Sequence, residues 1–116
     1  AKTTRGNVRY KNVLTMTATA YDNSYESTGK SPGQKYWGLT ALGTKARVGA
    51  VAVDPKIIPL GTKLYVESLD GTKDYGFCVA EDTGGAIKGN KIDLFFNTSG
   101  EVRKFGRRKV KVYILD

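Results

Sequence analysis

The chain has 116 residues, room for one domain with a modest core, and its 40% apolar and 26% charged residues exclude a disordered polymer. Nineteen Lys and Arg against eleven Asp and Glu leave a net charge of +8, a surface that attracts nucleic acid, anionic lipid or acidic wall polymers without choosing among them. Histidine is absent and Cys78 is the single cysteine, which excludes an internal disulfide, Ser-His and Cys-His nucleophile pairs and the common zinc sites.

In chain order, residues 1–12 are basic and aperiodic and are expected as a flexible lead-in or linker end. Val13–Tyr21, rich in Thr and small apolar residues, predicts a first strand. The polar stretch 22–38 follows, long enough to be a substrate-binding loop, in which Tyr25, Tyr36 and Trp37 offer either stacking surfaces for a sugar or anchors to the core. Arg47–Asp54 predicts a strand, and Pro55 and Pro59 bracket a short turn. Lys63–Leu69 and Tyr75–Asp82 flank Asp70-Gly71 and predict a β-hairpin turning there. Lys91–Phe96 is a further strand. Thr98 and Glu101 have capping-box spacing ahead of a helix near residues 99–105, with Gly106 as its stop. Arg108–Leu115 alternates basic and apolar residues and predicts a strand with one wet face. Fourteen glycines and six or seven short strands with one short helix give a mainly β class and a compact barrel. No run of about 18 apolar residues is present to span a membrane as a helix.

With histidine absent, chemistry falls to the carboxylates. Asp54, Asp82 and Asp93 each end or interrupt an apolar run, where a lone charge costs several kcal/mol unless it is paired, bonded or neutralised. The aspartates at 22, 70, 74 and 116 fall in loops or at the terminus, where solvent makes a charge cheap. Three such acids in one small domain point to a shared site, with a structural network as the rival. If residues 77–82 are extended, Cys78, Ala80 and Asp82 share one face while Phe77, Val79 and Glu81 share the other, so Glu81 and Asp82 do not enter one cleft. Asp82 is the favoured catalytic group, because Gly84 and Gly85 after it leave space for a bulky substrate and free N–H groups for developing charge. Asp82-Thr83-Gly84 also spells the aspartic-protease tripeptide, but Glu81 stands where that motif carries an apolar pair and the position is late in the chain. The spacing of the aspartates matches no Ca²⁺ or Mg²⁺ loop, so neither metal nor cofactor is expected.

The ordered segments Val53-Asp54-Pro55, Ile58-Pro59-Leu60-Gly61-Thr62, Ala80-Glu81-Asp82-Thr83-Gly84-Gly85-Ala86-Ile87-Lys88-Gly89-Asn90 and Ile92-Asp93 resemble the bacterial 3D domain. Thr17–Tyr21, Gly38–Gly43 and Phe105–Tyr113 match that family's opening and closing segments, so the likeness runs over residues 14–115. The family is named for three aspartates and is similar to the catalytic part of membrane-bound lytic transglycosylase A and to stationary-phase muralytic proteins. The resemblance implies a double-psi β-barrel over residues 13–116. It also implies a peptidoglycan lytic transglycosylase that cuts the MurNAc-GlcNAc β-1,4 bond and leaves 1,6-anhydro-MurNAc. Asp82 then matches the general acid/base, which must hold a proton at neutral pH, and Asp54 and Asp93 match its supporting acids. Thr17, Tyr21 and Thr40 lie in the matching segments as cleft-wall residues, and Lys88 is either a carboxylate-binding cation or a solvated loop lysine. The hairpin tip at 67–74 is longer than in the shortest members of the family.

Expected partners are peptidoglycan glycan strands and anionic wall polymers, for a monomer secreted from or attached to the wall of a bacterium. A polysaccharide-binding module without turnover is the alternative. Nucleic acid is not expected: the basic stretch Arg103, Lys104, Arg107, Arg108, Lys109 and Lys111 comes with no base-reading motif.

Overall fold

Six strands pair edge to edge until the last meets the first. In the computed structural model, which describes residues 2–3, 7–24 and 28–115, these elements are β1 (Lys2–Thr3), β2 (Arg9–Tyr21), β3 (Ala50–Val53), β4 (Lys63–Ser68), β5 (Gly76–Asp82), β6 (Lys91–Phe95), α1 (Ser99–Phe105) and β7 (Arg108–Leu115). The hydrogen-bonded order β2-β6-β3-β5-β4-β7 returns to β2, closing the ring, while β1 lies antiparallel against the start of β2. Two pairings, β2 with β6 and β3 with β5, are parallel, and the other four around the ring are antiparallel. This is the mainly β barrel that the sequence predicts, with the expected short helix at Ser99–Phe105.

Strand alternation fills the ring. Each strand turns two residues inward: Met16 and Ala18, Val51 and Val53, Leu64 and Val66, Cys78 and Ala80, Ile92 and Leu94, Val110 and Val112, with Ile58 added from the turn after β3. Each large aliphatic side chain so buried contributes about 1.5–3 kcal/mol. A smaller cluster of Tyr21, Ala46, Ala52 and Phe95 lies on the outer face. The helix is capped as its sequence implies: the Thr98 hydroxyl accepts from the Glu101 N–H at 3.2 Å, and the Gly106 N–H donates to the Val102 carbonyl at 3.1 Å.

Three departures from expectation exceed a single residue. The first strand begins at Arg9, four residues earlier than predicted, because β7 is long enough to pair with Tyr10 through Leu115. β3 keeps only Ala50–Val53 of the predicted Arg47–Asp54, since Gly49 at φ 102° turns the chain and Asp54 opens the next turn. The hairpin pairs only as far as Val66 opposite Gly76, so its connection is a longer loop and no two-residue Asp-Gly turn. Asp74 stitches that loop by accepting from the Ser68 N–H and the Tyr65 hydroxyl.

Candidate active site

The register of β5 against β3 slips by one residue: Val51 pairs with Ala80, but Ala52 pairs with Asp82. Glu81 is therefore the extra residue of a β-bulge, which re-aims the chain beyond it. Without the bulge Asp82 would face inward with Cys78 and Ala80, as simple alternation predicts. With it, Asp82 shares the outward face of Ala52, and Asp93 pairs with Ala52 from the other side through β6. Two carboxyl groups thus flank one alanine methyl, the small size of which leaves the space between them open.

The same face carries Thr19 and Tyr21 from β2, in register with Asp93 and Phe95. The Thr19 hydroxyl donates to Asp93 Oδ1 at 2.9 Å, and the Tyr21 hydroxyl donates to Asp82 Oδ2 at 3.2 Å. Asp82 Oδ1 accepts the backbone N–H groups of Ala41 at 3.0 Å and Thr83 at 2.9 Å. Burial, and then the neighbouring Asp82 charge, raise the Asp93 carboxyl from its ordinary 3.8 to about 6 against the opposing Thr19 hydrogen bond. Burial and the adjacent Asp82 carboxylate also push the Tyr21 phenol well up, so it remains a hydrogen-bond donor throughout the working pH range.

Loop 38–47 forms one wall and is pinned to the bulge. Arg47 grips Glu81 with two N–H···O bonds, at 3.0 and 2.7 Å, and the Thr44 hydroxyl donates to the same carboxylate. Through the bulge Glu81 and Asp82 reach the same loop from consecutive positions, yet Glu81 does not line the cleft that Asp82 enters. The arginine holds the Glu81 carboxyl below its usual range. Above the two aspartates opens a cleft of about 220 Å³. Ala52 and Tyr21 line its floor, Gly38, Leu39 and Ala46 one side, and Asn23, Thr28 and Lys30 another. Thr83, Gly84 and Gly85 complete it. A Cβ on Gly84 would stand 3.0 Å from Ile87 Cγ1, so the first glycine keeps the turn compact as well as open.

Of the residues singled out from sequence, Asp82, Asp93, Tyr21, Gly84 and Gly85 meet at this cleft. Asp54 lies off it. Its buried carboxylate accepts from the Gly89 N–H at 2.9 Å and the Lys56 N–H at 3.0 Å, bonds that hold it below the usual carboxylate range and tie two loops together. Thr40 is buried in the wall loop, sharing a 2.6 Å hydrogen bond with Thr44. Thr17 takes a hydrogen bond from Lys109 at 3.0 Å on the outer face, and Lys88 is exposed near Asp54. Neither lines the cleft. The cation that does is Lys30, its Nζ 2.9 Å from the Tyr36 carbonyl. Trp37 anchors the long loop by donating from Nε1 to the Asn23 carbonyl at 3.1 Å, whereas Tyr36 is 61% exposed; Tyr25 lies outside the described residues. Asp22, expected in solvent, is buried and accepts from the Ser24 N–H.

Thr19, Lys30, Asn23, Thr28 and the Ala41 N–H were not anticipated. For Thr19 the signal was present, since it shares the face of Tyr21 two residues away; the others sit between strands, in segments that no periodicity marks. Among the described residues no group of three metal-binding side chains forms, and no helix is long and apolar enough to cross a membrane.

The chain is similar to proteins already known. Residues 49–116 match the family described as the 3D domain. The chain is 38% identical to YabE of Bacillus subtilis, whose name points to cell wall shaping, over 97% of its own length and 25% of that protein. It is 42% identical to the cell wall-binding protein YocH of the same organism, over 89% of its length and 32% of that protein. The chain therefore spans about a quarter to a third of these curated relatives. Among solved structures, MltA from Escherichia coli, a lytic transglycosylase, superposes with a TM-score of 0.59 at 28% identity, over 72% of this chain and 29% of that one. MltA with bound chitohexaose gives a TM-score of 0.57 at 28% identity, over 67% of this chain and 27% of that one.

Proposed function

The chain belongs to the 3D domain family, and from that premise we propose that its cleft binds the glycan strand of bacterial peptidoglycan and cleaves it as a lytic transglycosylase, with Asp82 as general acid and base. The observation that carries this reading is the pair of carboxyl groups flanking Ala52 at the floor of an open cleft, one of them protonated up to about pH 6. Likeness to MltA, a lytic transglycosylase also known with bound chitohexaose, supports the substrate class.

In the proposed reaction Asp82 gives its proton to the glycosidic oxygen between MurNAc and GlcNAc as that bond breaks. The C6 hydroxyl of the same MurNAc attacks C1, and Asp82 takes the hydroxyl proton, so the anhydro ring closes and no water is consumed. A tethered nucleophile lowers the entropic part of the barrier, and no second carboxylate is needed to position water as in ordinary glycosidases. Asp93 stores a proton beside the reacting group, Tyr21 orients Asp82, and Lys30 offers a cation to an acidic group of the substrate. Asp54 supports the site at a distance, by fixing the loop that ends at Gly89.

Digestion of purified peptidoglycan followed by mass spectrometry tests the assignment. Wild type is expected to release anhydro-muropeptides, and Asp82→Ala to release them at least ~10²-fold more slowly, the usual scale for losing a general acid. Anhydro products undiminished in the variant would refute the role of Asp82. A second reading, wall binding without turnover, is favoured by one observation: both oxygens of Asp82 are already engaged, accepting three hydrogen bonds from the protein itself. Wild-type binding with no anhydro product would establish it.

A further inference from the structure

The outer face that carries Asp93 continues away from the cleft into a group of lysines. Strand pairing puts Lys91 of β6 and Lys109 of β7 on either side of Thr17 of β2, so these three residues form one row across the barrel. Thr19 and Asp93 form the next row toward the cleft, and Thr15 and Lys111 the next row away from it. Same-face rows recur about every 7 Å, so the lysines begin one row from the cleft floor. All three are exposed.

Lys109 Nζ spends one donor on the Thr17 hydroxyl at 3.0 Å. Among the described residues none of the three ammonium groups forms an ion pair, whereas nearby Arg108 is held by Asp70 at 3.1 Å and Arg47 by Glu81. The acid facing this group from the neighbouring strand is Glu67 of β4, in register with Lys111 and bonded to the Tyr113 hydroxyl at 3.1 Å. Adjacent like charges on one sheet face repel. Such a patch gains from an anionic partner that lies along it.

We propose that Lys91, Lys109 and Lys111 bind carboxylates on the stem peptides of the glycan strand that occupies the cleft. The proposal rests on the glycan-strand reading above. Continuity favours this occupant over a separate polyanion: a strand lying across Asp93 and onward along β2 passes directly over the lysine rows. The sugars of such a strand need no cation, but its peptide branches are acidic. Bonds of this kind are exposed, so the rows act as a salt-sensitive grip that selects peptide-bearing strands.

The test uses fluorescent, uncross-linked peptidoglycan strands, intact or freed of stem peptides by an amidase with the lactyl carboxyl groups so exposed then blocked as methylamides, and purified teichoic acid as a third probe. Binding is measured by anisotropy for the chain and for Lys91→Gln/Lys109→Gln/Lys111→Gln, each carrying Asp82→Ala to prevent cleavage, after thermal melts confirm folding. The lysine-bearing protein is expected to prefer intact over peptide-free strands by roughly tenfold, with the preference shrinking as salt rises. The triple variant should bind both strands alike, at the peptide-free level. Equal binding of both strands by the lysine-bearing protein, a preference retained in the triple variant, or a loss confined to teichoic acid would each overturn the proposal. Failure to bind peptide-free strands, with lysine-dependent binding of intact ones, would instead sink the glycan-cleft reading and leave the lysine rows standing.

Discussion

Burial of Asp93 costs stability only once its carboxyl ionises, and the sign of that cost can be worked out. Its folded pKa of about 6 lies above the ordinary 3.8, so the native state binds more protons than the unfolded chain between those values. Stability then falls as pH rises through this window. Asp93→Asn removes the titration while retaining an oxygen for the Thr19 hydroxyl. It is expected to be more stable than wild type at pH 7, by up to roughly 3 kcal/mol, with the gain vanishing below about pH 4. Thermal melts across pH 3 to 8 check this, and a variant equal to wild type at every pH would show that the carboxyl is not taxed by burial. Anhydro-muropeptide release by the same variant is expected to fall, a gain in stability coupled to a loss in activity that a purely structural carboxyl would not show.

Between strands, the bulge at Glu81 does two jobs, turning Asp82 outward and anchoring the loop that walls the cleft. Glu81→Ala deprives Thr44 and Arg47 of their acceptor and is expected to cost about 1–3 kcal/mol at neutral pH, a drop of about 5 °C or more in Tm. The pH dependence opposes that of Asp93. Arg47 depresses the Glu81 pKa from 4.5, so its contribution is present above that value and is lost as pH falls through the folded pKa. The Tm gap between Glu81→Ala and wild type should therefore close on acidification; a gap constant down to pH 3 would count against the ion pair as its source. This element also marks the limit of what the sequence makes legible. Alternation located β7 to the residue and the Thr98 cap located α1, because both are local patterns. A bulge leaves no trace in alternation, so the apolar pattern ending at Ala80 assigned Asp82 to the wrong face. Asp54 looked like its partner because a carboxylate ending an apolar run must be satisfied somewhere, and sequence alone does not say that two backbone N–H groups satisfy it. Lys30, Asn23 and Thr28 reach the cleft through a loop whose path is set by contacts such as Trp37 to Asn23, distant from any repeat.

For the whole molecule, the decisive feature is closure: the count of short strands points to a barrel, but the pairings that close it join strands far apart in sequence and are legible only through a family resemblance. A closed ring exposes no free edge among its six strands, and its interior opens only when strands part. Cys78 reports on this: buried inside the ring, its thiol is pushed up to about 12 by burial. A thiol reagent at pH 8 is expected to label the folded chain at least ~10³-fold more slowly than the denaturant-unfolded chain. Labelling within seconds under native conditions would mean that β5 opens separately from the rest. The seam itself has a mechanical consequence. β2 and β7 run antiparallel from Tyr10 beside Leu115 to Ala18 beside Arg108, so a pull that separates Tyr10 from Leu115 loads their hydrogen bonds one at a time, as in a zip, rather than all at once in shear. The strand peeled away carries Thr19 and Tyr21. Peeling from β7 ends at Ala18, however, and those two residues stay in register with Asp93 and Phe95 of β6, so a load on the seam reaches the cleft floor last.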